Sequence, residues 1–431
     1  MKFYSLNQSK NQASFKEAVI AGIAPDKGLY FPERIDALPR GFFERIENLS
    51  NHEIAFQAIH QFVKDDISNE ALKEIIANVL DFDFPLVELE ENVATLELFH
   101  GPTMAFKDVG ARFMANCLGH FSKGEKTEVT VLVATSGDTG GAVANGFLGV
   151  EGVKVVILYP SGKVSDIQER QLTTLGQNIE AMEVDGTFDD CQRMVKTAFL
   201  DTEITDQKKL TSANSINIAR WLPQLFYFLF AYKQAKSKGM EIVFSVPSGN
   251  FGNICAGMVA QKLGMPVKHF VAATNANRVV PNFLEKGVYE PLPSIATISN
   301  AMDVGDPSNF VRIRKLYQNN LDELRNHFSS YSFSDNATRG AMKKIHQNSG
   351  YVADPHGAVG YLGLKEYQKL NPDTLGIFLE TAHPVKFLDV VEDTLNISPE
   401  IPLQIQKVMD KEKSSIKIDS YQGLKSHLLN S

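Results

Sequence analysis

From about residue 93 onward, short apolar runs rich in β-branched residues alternate with stretches of helical periodicity. The clearest strand candidates are 94–99, 129–134, 154–159, 181–185, 242–246, 268–274 and 375–381. Strands that are apolar on both faces need cover on both faces, and helices between consecutive strands provide it. The pattern therefore predicts an α/β fold with open, mostly parallel sheets covered by helices.

The chain before that point is different, because it opens with a loop-rich stretch and continues with helical periodicity over 53–63 and 70–80. A length of 431 residues is enough for two or three domains. We expect an N-terminal helical and loop domain over 1–92, a sheet domain over 93–236, and a second sheet domain over 237–431. Segments are expected to exchange between the last two. An apolar helix over 218–236 is expected to link the sheets, and the charged helical end after about 399 is expected to be peripheral.

Two glycine-rich loops follow predicted strands, and ligands of parallel sheets bind at the carboxyl ends of strands. The first loop, 134–141, reads ATSGDTGG and precedes a helix. Its hydroxyls and backbone amides are expected to converge on a small carboxylate or phosphate. Asp138 places a negative charge there, and it either accepts a hydrogen bond from a ligand hydroxyl or orders the turn. The candidate substrate residues are Thr135, Ser136, Gly137, Asp138 and Thr139.

The second loop, 246–254, reads VPSGNFGNI and also joins a strand to a helix. Glycines allow the backbone to approach a ligand closely, and asparagine supplies side-chain donors. The loop lacks both the P-loop lysine and the dinucleotide-binding glycine pattern. We therefore expect it to hold the phosphate monoester of a compact cofactor rather than a nucleotide. The candidate cofactor residues are Gly249, Asn250, Phe251, Gly252 and Asn253.

One lysine, Lys107, stands between the first strand candidate and a predicted helix, in the stretch HGPTMAFKDVG over 100–110. The positive end of a helix dipole and apolar neighbours both disfavour an ammonium ion, so they lower the pKa of a lysine. A neutral lysine amine can attack a carbonyl group and form an imine. By itself the stretch is more typical of an ordinary lysine at the start of a helix, and only the two glycine-rich loops favour the imine-forming interpretation.

Two further elements carry candidate ligands. Ser215 and Asn217 precede Arg220, whose guanidinium can hold an oxyanion with paired donors. Thr381 ends the last strong strand and is expected to direct a hydroxyl to its carboxyl end. His383 follows, but a single histidine before a proline is more typical of a structural role.

Composition excludes several classes of protein. The net charge of −8 and the absence of a long basic block argue against nucleic acid and against an anionic membrane as a partner. Three scattered cysteines have no metal-ligand spacing, so we expect no metal and a reducing environment. With no apolar signal segment at the N-terminus and no long apolar run, we expect a cytoplasmic protein.

Together, an imine-forming lysine, a phosphate cradle and an anion-binding turn describe a pyridoxal-phosphate site. The chain resembles the threonine synthase family of fold type II pyridoxal-phosphate enzymes, over most of its length. The resemblance rests on the motifs HGPTMAFKD (100–108), ATSGDTG (134–140), SANSINIAR (212–220), GNFGN (249–253) and ETAHP (380–384), and on YS (4–5) with GLYFP (28–32). The lysine motif and the SGDTG turn are the specific ones, whereas the GNFGN loop is shared across the wider fold. The resemblance implies two sheet domains with an additional N-terminal domain.

The resemblance also implies roles for residues. Lys107 is expected to bind pyridoxal 5'-phosphate covalently, with Gly249 to Asn253 holding its phosphate and Thr381 facing its pyridine nitrogen. Residues 135–139 are expected to receive a substrate anion. Ser215, Asn217 and Arg220 are the candidates for the substrate phosphate, with Lys163 and Arg170 as alternatives.

The implied reaction converts O-phospho-L-homoserine and water to L-threonine and phosphate, the last step of threonine biosynthesis. The implied assembly is a monomer or small homo-oligomer. Two alternatives stay open at this point. One is another fold type II lyase, such as a serine or threonine dehydratase. The other is a threonine-synthase-like protein that binds the ligands without turnover.

Overall fold

The predicted apolar runs are buried β-strands in the computed structural model, which describes residues 1–124 and 127–430. All seven predicted strands are present, with ends shifted by no more than one or two residues. The strands described are β1 (Phe3–Ser5), β2 (Gln12–Ala13), β3 (Tyr30–Pro32), β4 (Leu86–Glu90), β5 (Val93–Glu97), β6 (Val129–Ala134), β7 (Val153–Pro160), β8 (Ile179–Val184), β9 (Lys209–Ser212), β10 (Ile242–Pro247), β11 (His269–Thr274), β12 (Phe328–Ser332), β13 (Leu375–Glu380) and β14 (Ile416–Ile418).

Helices occupy most of the connections between these strands, as the alternation predicts. The α-helices described are α1 (Phe15–Ala21), α2 (Arg40–Glu44), α3 (Asn51–Val63), α4 (Asn69–Val79), α5 (Lys107–Ser122), α6 (Asp138–Phe147), α7 (Asp166–Thr173), α8 (Phe188–Ala198), α9 (Thr202–Thr205), α10 (Ile218–Trp221), α11 (Leu225–Ala235), α12 (Gly252–Lys262), α13 (Val279–Lys286), α14 (Phe310–Leu316), α15 (Leu321–His327), α16 (Asp335–Ser349), α17 (Pro355–Gln368), α18 (Leu388–Leu395), α19 (Leu403–Met409) and α20 (Tyr421–Asn430). None of them combines the length and the apolar character needed to cross a lipid bilayer.

Two open sheets form the body of the molecule. The larger has the strand order β12-β11-β10-β13-β5-β4, and it is parallel except for β4 at one edge. The smaller has the order β14-β8-β7-β6-β9 and is parallel throughout. The predicted fold class, with open and mostly parallel sheets between helices, is confirmed.

The domain boundaries expected near residues 92 and 236 stay a prediction. Strand pairings within the two large sheets cross both of them. Strand β5 pairs with β13, about 280 residues later in the sequence, and β14 pairs with β8. The C-terminal end is therefore not only a peripheral helical segment, because it supplies the edge strand of the smaller sheet. The region before residue 92 also contains a small antiparallel sheet, β2-β1-β3, which periodicity did not indicate.

The expected linking helix over 218–236 is broken into pieces. Helix α10 and helix α11 are separated by a tight turn over 222–224, where Pro223 removes a helical hydrogen-bond donor. Helix α11 is buried over most of its circumference, which agrees with a segment that is apolar on all faces. It packs between α3 of the N-terminal region and α12 of the larger sheet, so it is the centre of the apolar core.

One fully buried arginine joins the N-terminal region to both sheets. Arg312, on α14, donates to the backbone oxygens of Tyr30, Ser215 and Ile216, at 2.7–3.3 Å. Its guanidinium also lies 4.3 Å from the ring centroid of Trp221. Burial lowers its pKa to about 9, so it stays charged at neutral pH. This single side chain satisfies backbone oxygens that would otherwise be buried without donors.

Replacing Arg312 by methionine is expected to lower the free energy of unfolding by about 3 kcal/mol or more, because several buried oxygens lose their donors. Urea unfolding of the cofactor-free chain measures this. The matched control is Arg34→Met, at an exposed ion pair with Asp36, where the change should stay within about 0.5 kcal/mol. Equal effects of the two substitutions would contradict the role given to Arg312.

Candidate active site

Lys107 is the first residue of α5 and lies in the wall of a cavity of about 870 Å³ between the two sheets. Its position is set by a short ladder, in which Phe106 N donates to Thr381 O at 2.8 Å and His383 N donates to Met104 O at 3.0 Å. Thr103 and Asp108 do not cap α5, since the Asp108 carboxylate accepts hydrogen bonds from Thr103 instead. The ladder brings Lys107 beside the carboxyl end of β13.

The electrostatics around Lys107 favour a neutral amine. Burial lowers its pKa, and Lys386 and Arg220 lower it further, against the opposing effect of Asp138. Among the described residues, its amine has no hydrogen-bond or ion-pair partner, and Nζ lies 5.6 Å from the centroid of the Phe106 ring. An amine that is neutral and unpartnered is available as a nucleophile and as a base.

Residues 249–253 lead from β10 into the first turn of α12, on the opposite side of the cavity. No hydrogen bond among the described residues uses their five backbone N–H groups. Phe251 has a left-handed backbone with φ 60°, which turns these groups inward. A Cβ added to Gly249 would lie 2.7 Å from Met302 Cα, so no larger residue fits there. The arrangement is an anion cradle at a helix N-terminus.

The Asn250 side chain holds this cradle in place. Its amide nitrogen donates to Ser215 Oγ at 2.8 Å, and its oxygen accepts from Ser308 N at 2.6 Å. Asn253 similarly donates to Pro247 O at 2.9 Å. All five predicted cofactor-loop residues line the cavity.

The predicted substrate turn closes a third side of the cavity. Thr135 Oγ1 accepts from Gly137 N at 3.0 Å and from Gly140 N at 2.8 Å, so this hydroxyl builds the turn. The backbone N–H groups of Ser136, Asp138 and Thr139 take part in no hydrogen bond among the described residues. Thr135, Ser136, Asp138 and Thr139 line the cavity, whereas Gly137 supports it from behind. These free donors can receive a second anion.

Asp138 is buried in this turn and is paired with a lysine that sequence reasoning missed. Lys386 Nζ lies 2.7 Å from Asp138 Oδ1, and Gln168 Nε2 donates to the same oxygen at 3.0 Å. Burial disfavours the Asp138 carboxylate, but Lys386 and Lys107 outweigh burial and hold its pKa well below its usual range. Asp138 is therefore charged and orders the turn.

The third predicted element is divided by the structure. Arg220 lines the cavity and is buried; its Nη1 donates to Ala213 O at 2.6 Å, while its Nε has no partner among the described residues. Burial lowers its pKa to about 10. Ser215 also lines the cavity. Asn217 does not, because its amide donates to Val19 O and Ser212 O and its oxygen caps α10.

The alternative basic residues differ in the same way. Lys163 lies at the exposed mouth of the cavity. Arg170 does not line it, because its guanidinium binds Asp166 and the backbone oxygens of Met409 and Lys411. Of these three candidates for the substrate phosphate, Arg220 is the one that is both buried and part of the cavity wall.

Thr381 lines the cavity at the end of β13, beside a buried polar network. His356 also lines it, with Nδ1 2.6 Å from Asp354 Oδ1 and Nε2 accepting from Ala301 N. Burial and the adjacent Asp354 raise the pKa of Glu380 well above its ordinary value, which favours the neutral form of that carboxyl. His383 is structural as expected: its Nδ1 accepts from Val385 N, and burial lowers its pKa to about 4.

The residues present fit pyridoxal 5'-phosphate. The cavity combines an unpartnered lysine amine with a set of five free N–H groups, and the close contacts at Gly249 leave room for a ligand only on the cavity side. Among the described residues, no group of three or more His, Cys, Asp or Glu could hold a metal ion.

Comparison with known proteins agrees with this site. Residues 84–379 match the family model described as pyridoxal-phosphate dependent enzyme. Residues 2–80 match the threonine synthase N terminus and residues 357–427 the threonine synthase C-terminal model. Threonine synthase from Escherichia coli is 43% identical over 95% of each chain.

The chain belongs to the threonine synthase family of pyridoxal-phosphate-dependent enzymes.

Solved structures of this family have the same fold over the whole chain. The crystal structure of threonine synthase from Escherichia coli superposes with a TM-score of 0.93, 41% identity and full coverage of both chains. The PLP-bound threonine synthase from Brucella melitensis gives a TM-score of 0.92 at 31% identity, covering 100% of this chain and 99% of that one. The expected fold, family and cofactor are confirmed.

Several residues of the site escaped sequence reasoning. Lys386 stands two residues after the ETAHP motif in an apolar run, VKFL, and a lone lysine in such a run was the available signal. Gln168 and His356 lie in helices that carry no recognisable motif, and Asp354 is the N-cap of the helix that contains His356. Residues 292–306 supply the outer wall of the cavity from a segment with little regular structure.

Replacing Gly137 by alanine is expected to disrupt the substrate turn. Gly137 has φ 138°, and a Cβ there would lie 2.4 Å from the Gln168 side chain that holds Asp138. Gly162→Ala is the matched control, since its φ is also positive but no atom lies within 4 Å of an added Cβ. The control should lose about 1–3 kcal/mol of unfolding free energy at most. Gly137→Ala should lose more unfolding free energy than this, as measured by urea unfolding, and should bind amino acids weakly. Equal losses of unfolding free energy in the two variants would contradict this prediction.

Proposed function

We propose that the chain is a threonine synthase, which converts O-phospho-L-homoserine and water to L-threonine and inorganic phosphate. The observation that carries the proposal is the placement of the Lys107 amine in one cavity with two separate sets of free backbone N–H groups, at 249–253 and at Ser136, Asp138 and Thr139. One set suits a cofactor phosphate and the other a substrate carboxylate. The threonine synthase models at both ends of the chain favour this activity over that of a dehydratase.

Pyridoxal 5'-phosphate, when bound, supplies an electron sink that stabilises negative charge on the carbons next to the substrate amine. Lys107 would hold it covalently, and residues 249–253 would hold its phosphate. Thr381 would offer the pyridine nitrogen a neutral hydroxyl, which cannot keep that nitrogen protonated as a carboxylate would. This milder electron sink suits chemistry directed to the β and γ carbons of the substrate.

Lys107 would also serve as the base of the reaction. Its lowered pKa favours the neutral form of Nζ, which can take the proton from the α carbon of the substrate. The same nitrogen can return a proton to the γ carbon after phosphate has left. Residues 135–139 orient the substrate through its carboxylate, which keeps the α carbon beside Nζ.

Arg220 and Ser215 are the proposed ligands of the substrate phosphate. Arg220 lines the cavity, and a phosphate oxygen bound there would accept hydrogen bonds from its guanidinium. A cation there stabilises the negative charge that the leaving phosphate gains. Asn217 has no free donor for this role and instead caps the helix that carries Arg220.

A cytoplasmic location and a monomeric or small homo-oligomeric state complete the proposal. The three cysteines are free and buried, in keeping with a reducing compartment.

Lys107→Ala is expected to abolish threonine formation and the visible absorbance of the bound cofactor. Lys163→Ala is the control, since Lys163 lies at the exposed cavity mouth, and it should retain that absorbance. Borohydride reduction followed by peptide mapping should place the cofactor label on Lys107. A label on another lysine would refute the assignment.

Arg220→Met is expected to lower kcat/KM for phosphohomoserine about ten- to a hundredfold, the effect of losing a charged hydrogen bond. Arg170→Met, outside the cavity, should change it little. Steady-state kinetics with phosphate release as the readout measure both. Equal losses of kcat/KM in the two variants would indicate that a cation other than Arg220 binds the substrate phosphate.

The alternatives are separated by one assay on the purified chain with added cofactor. Phosphate and threonine formed from phosphohomoserine, without ammonia formed from serine, support the synthase. Ammonia from serine alone would indicate a dehydratase. Cofactor absorbance without either product would indicate a binding protein.

A further inference from the structure

Asp138 and Lys386 form a buried pair of opposite charges within the substrate turn. Both side chains are almost completely inaccessible, and Lys386 comes from a segment about 250 residues later in the chain. Lys386 Nζ also donates to Thr103 O at 2.9 Å, and Gln171 Nε2 donates to the same oxygen at 3.2 Å. The pair therefore joins the substrate turn to the segment that leads into Lys107.

The pair resolves a conflict of charge in the turn. Asp138 is the first residue of α6, next to three free backbone N–H groups that are suited to an anion. An uncompensated carboxylate at this point would repel a substrate carboxylate, and the repulsion is strong where water is excluded. The Lys386 ammonium, 2.7 Å away, cancels that charge.

We propose that Lys386 is a positioning residue of this enzyme, whose ammonium neutralises Asp138 and thereby lets the turn over 135–139 accept the carboxylate of an amino-acid substrate. The inference rests on the proposed function, because it assumes an amino acid bound at this turn. Lys386 also lowers the pKa of Lys107, whereas Asp138 raises it. Loss of Lys386 alone would therefore raise the pKa of Lys107, which disfavours the neutral amine that the reaction needs.

A neutralising role differs from a purely structural one in its response to double substitution. Removing one partner of a buried ion pair leaves an uncompensated charge, whereas removing both can be nearly neutral. The contact from Lys386 to Thr103, by contrast, is lost in Lys386→Met whether or not Asp138 is also replaced. Restoration of binding by the second substitution is thus specific to charge compensation.

The test uses Lys386→Met, Asp138→Asn, the double variant and Lys386→Arg. Affinity of each holoenzyme for L-threonine, a carboxylate ligand without phosphate, is measured from the change in cofactor absorbance at a series of concentrations. Lys386→Met should weaken binding at least tenfold. The double variant should recover to within about threefold of the unmodified enzyme, and Lys386→Arg should retain most of the affinity.

Urea unfolding of the four cofactor-free variants gives a readout independent of the cofactor. Lys386→Met should lower the unfolding midpoint, and addition of Asp138→Asn should restore most of the loss. If Lys386→Met does not fold, the double variant and Lys386→Arg decide the matter. A double variant that binds threonine more than tenfold less tightly than the unmodified enzyme would overturn the proposal.

Different measurements would refute the role of Lys386 and the proposed function. An unmodified holoenzyme that forms no threonine from phosphohomoserine refutes the function. Threonine affinity needs no turnover, so it still reports on the pair. Additive losses from the two single substitutions, in an enzyme that is active when unmodified, refute the role of Lys386 alone.

Discussion

The short ladder between residues 104–106 and 381–383 is the contact on which the site depends. Its two hydrogen bonds join the segment before Lys107 to the end of β13, at the centre of the larger sheet. Backbone hydrogen bonds between buried segments are expensive to leave unmade, so this junction is held firmly. It fixes the Lys107 amine and the Thr381 hydroxyl relative to each other, and each loop of the site is arranged around them.

Much of the site consists of backbone groups that folding leaves unpaired. Eight N–H groups in the two loops, at 249–253 and at Ser136, Asp138 and Thr139, have no acceptor among the described residues. Buried donors without acceptors lower the stability of the chain, and anions that bind there recover that stability. Left-handed backbone at Met104 and Phe251 stores further strain beside the same cavity. The pre-formed anion sites therefore lower the stability of the chain when no anion is bound.

The charges of the site are few and mutually dependent. Lys386 and Lys107 both act on the carboxylate of Asp138, and Lys386 and Arg220 both act on the amine of Lys107. In such surroundings one charge alters the protonation of its neighbours strongly. The lowered pKa of Lys107, which favours attack and proton transfer, therefore depends on burial together with this group of charges and not on one neighbouring residue.

Sequence by itself determined the strands, both glycine-rich loops and Lys107, because each depends on local chemistry: apolar continuity, backbone freedom at glycine, and a lysine at a strand-to-helix junction. Only the tertiary structure decided the partner of Asp138, the orientation of Asn217 and the place of His356. Lys386 lies 248 positions from Asp138 in the numbering, and it meets that residue only because two sheets direct their carboxyl ends at one cavity. Asn217 occupies the same motif as Arg220, yet cap formation turned its side chain into the protein. Motif spacing specifies which residues are near one another along the chain, whereas packing between distant segments specifies which side chains face the ligand.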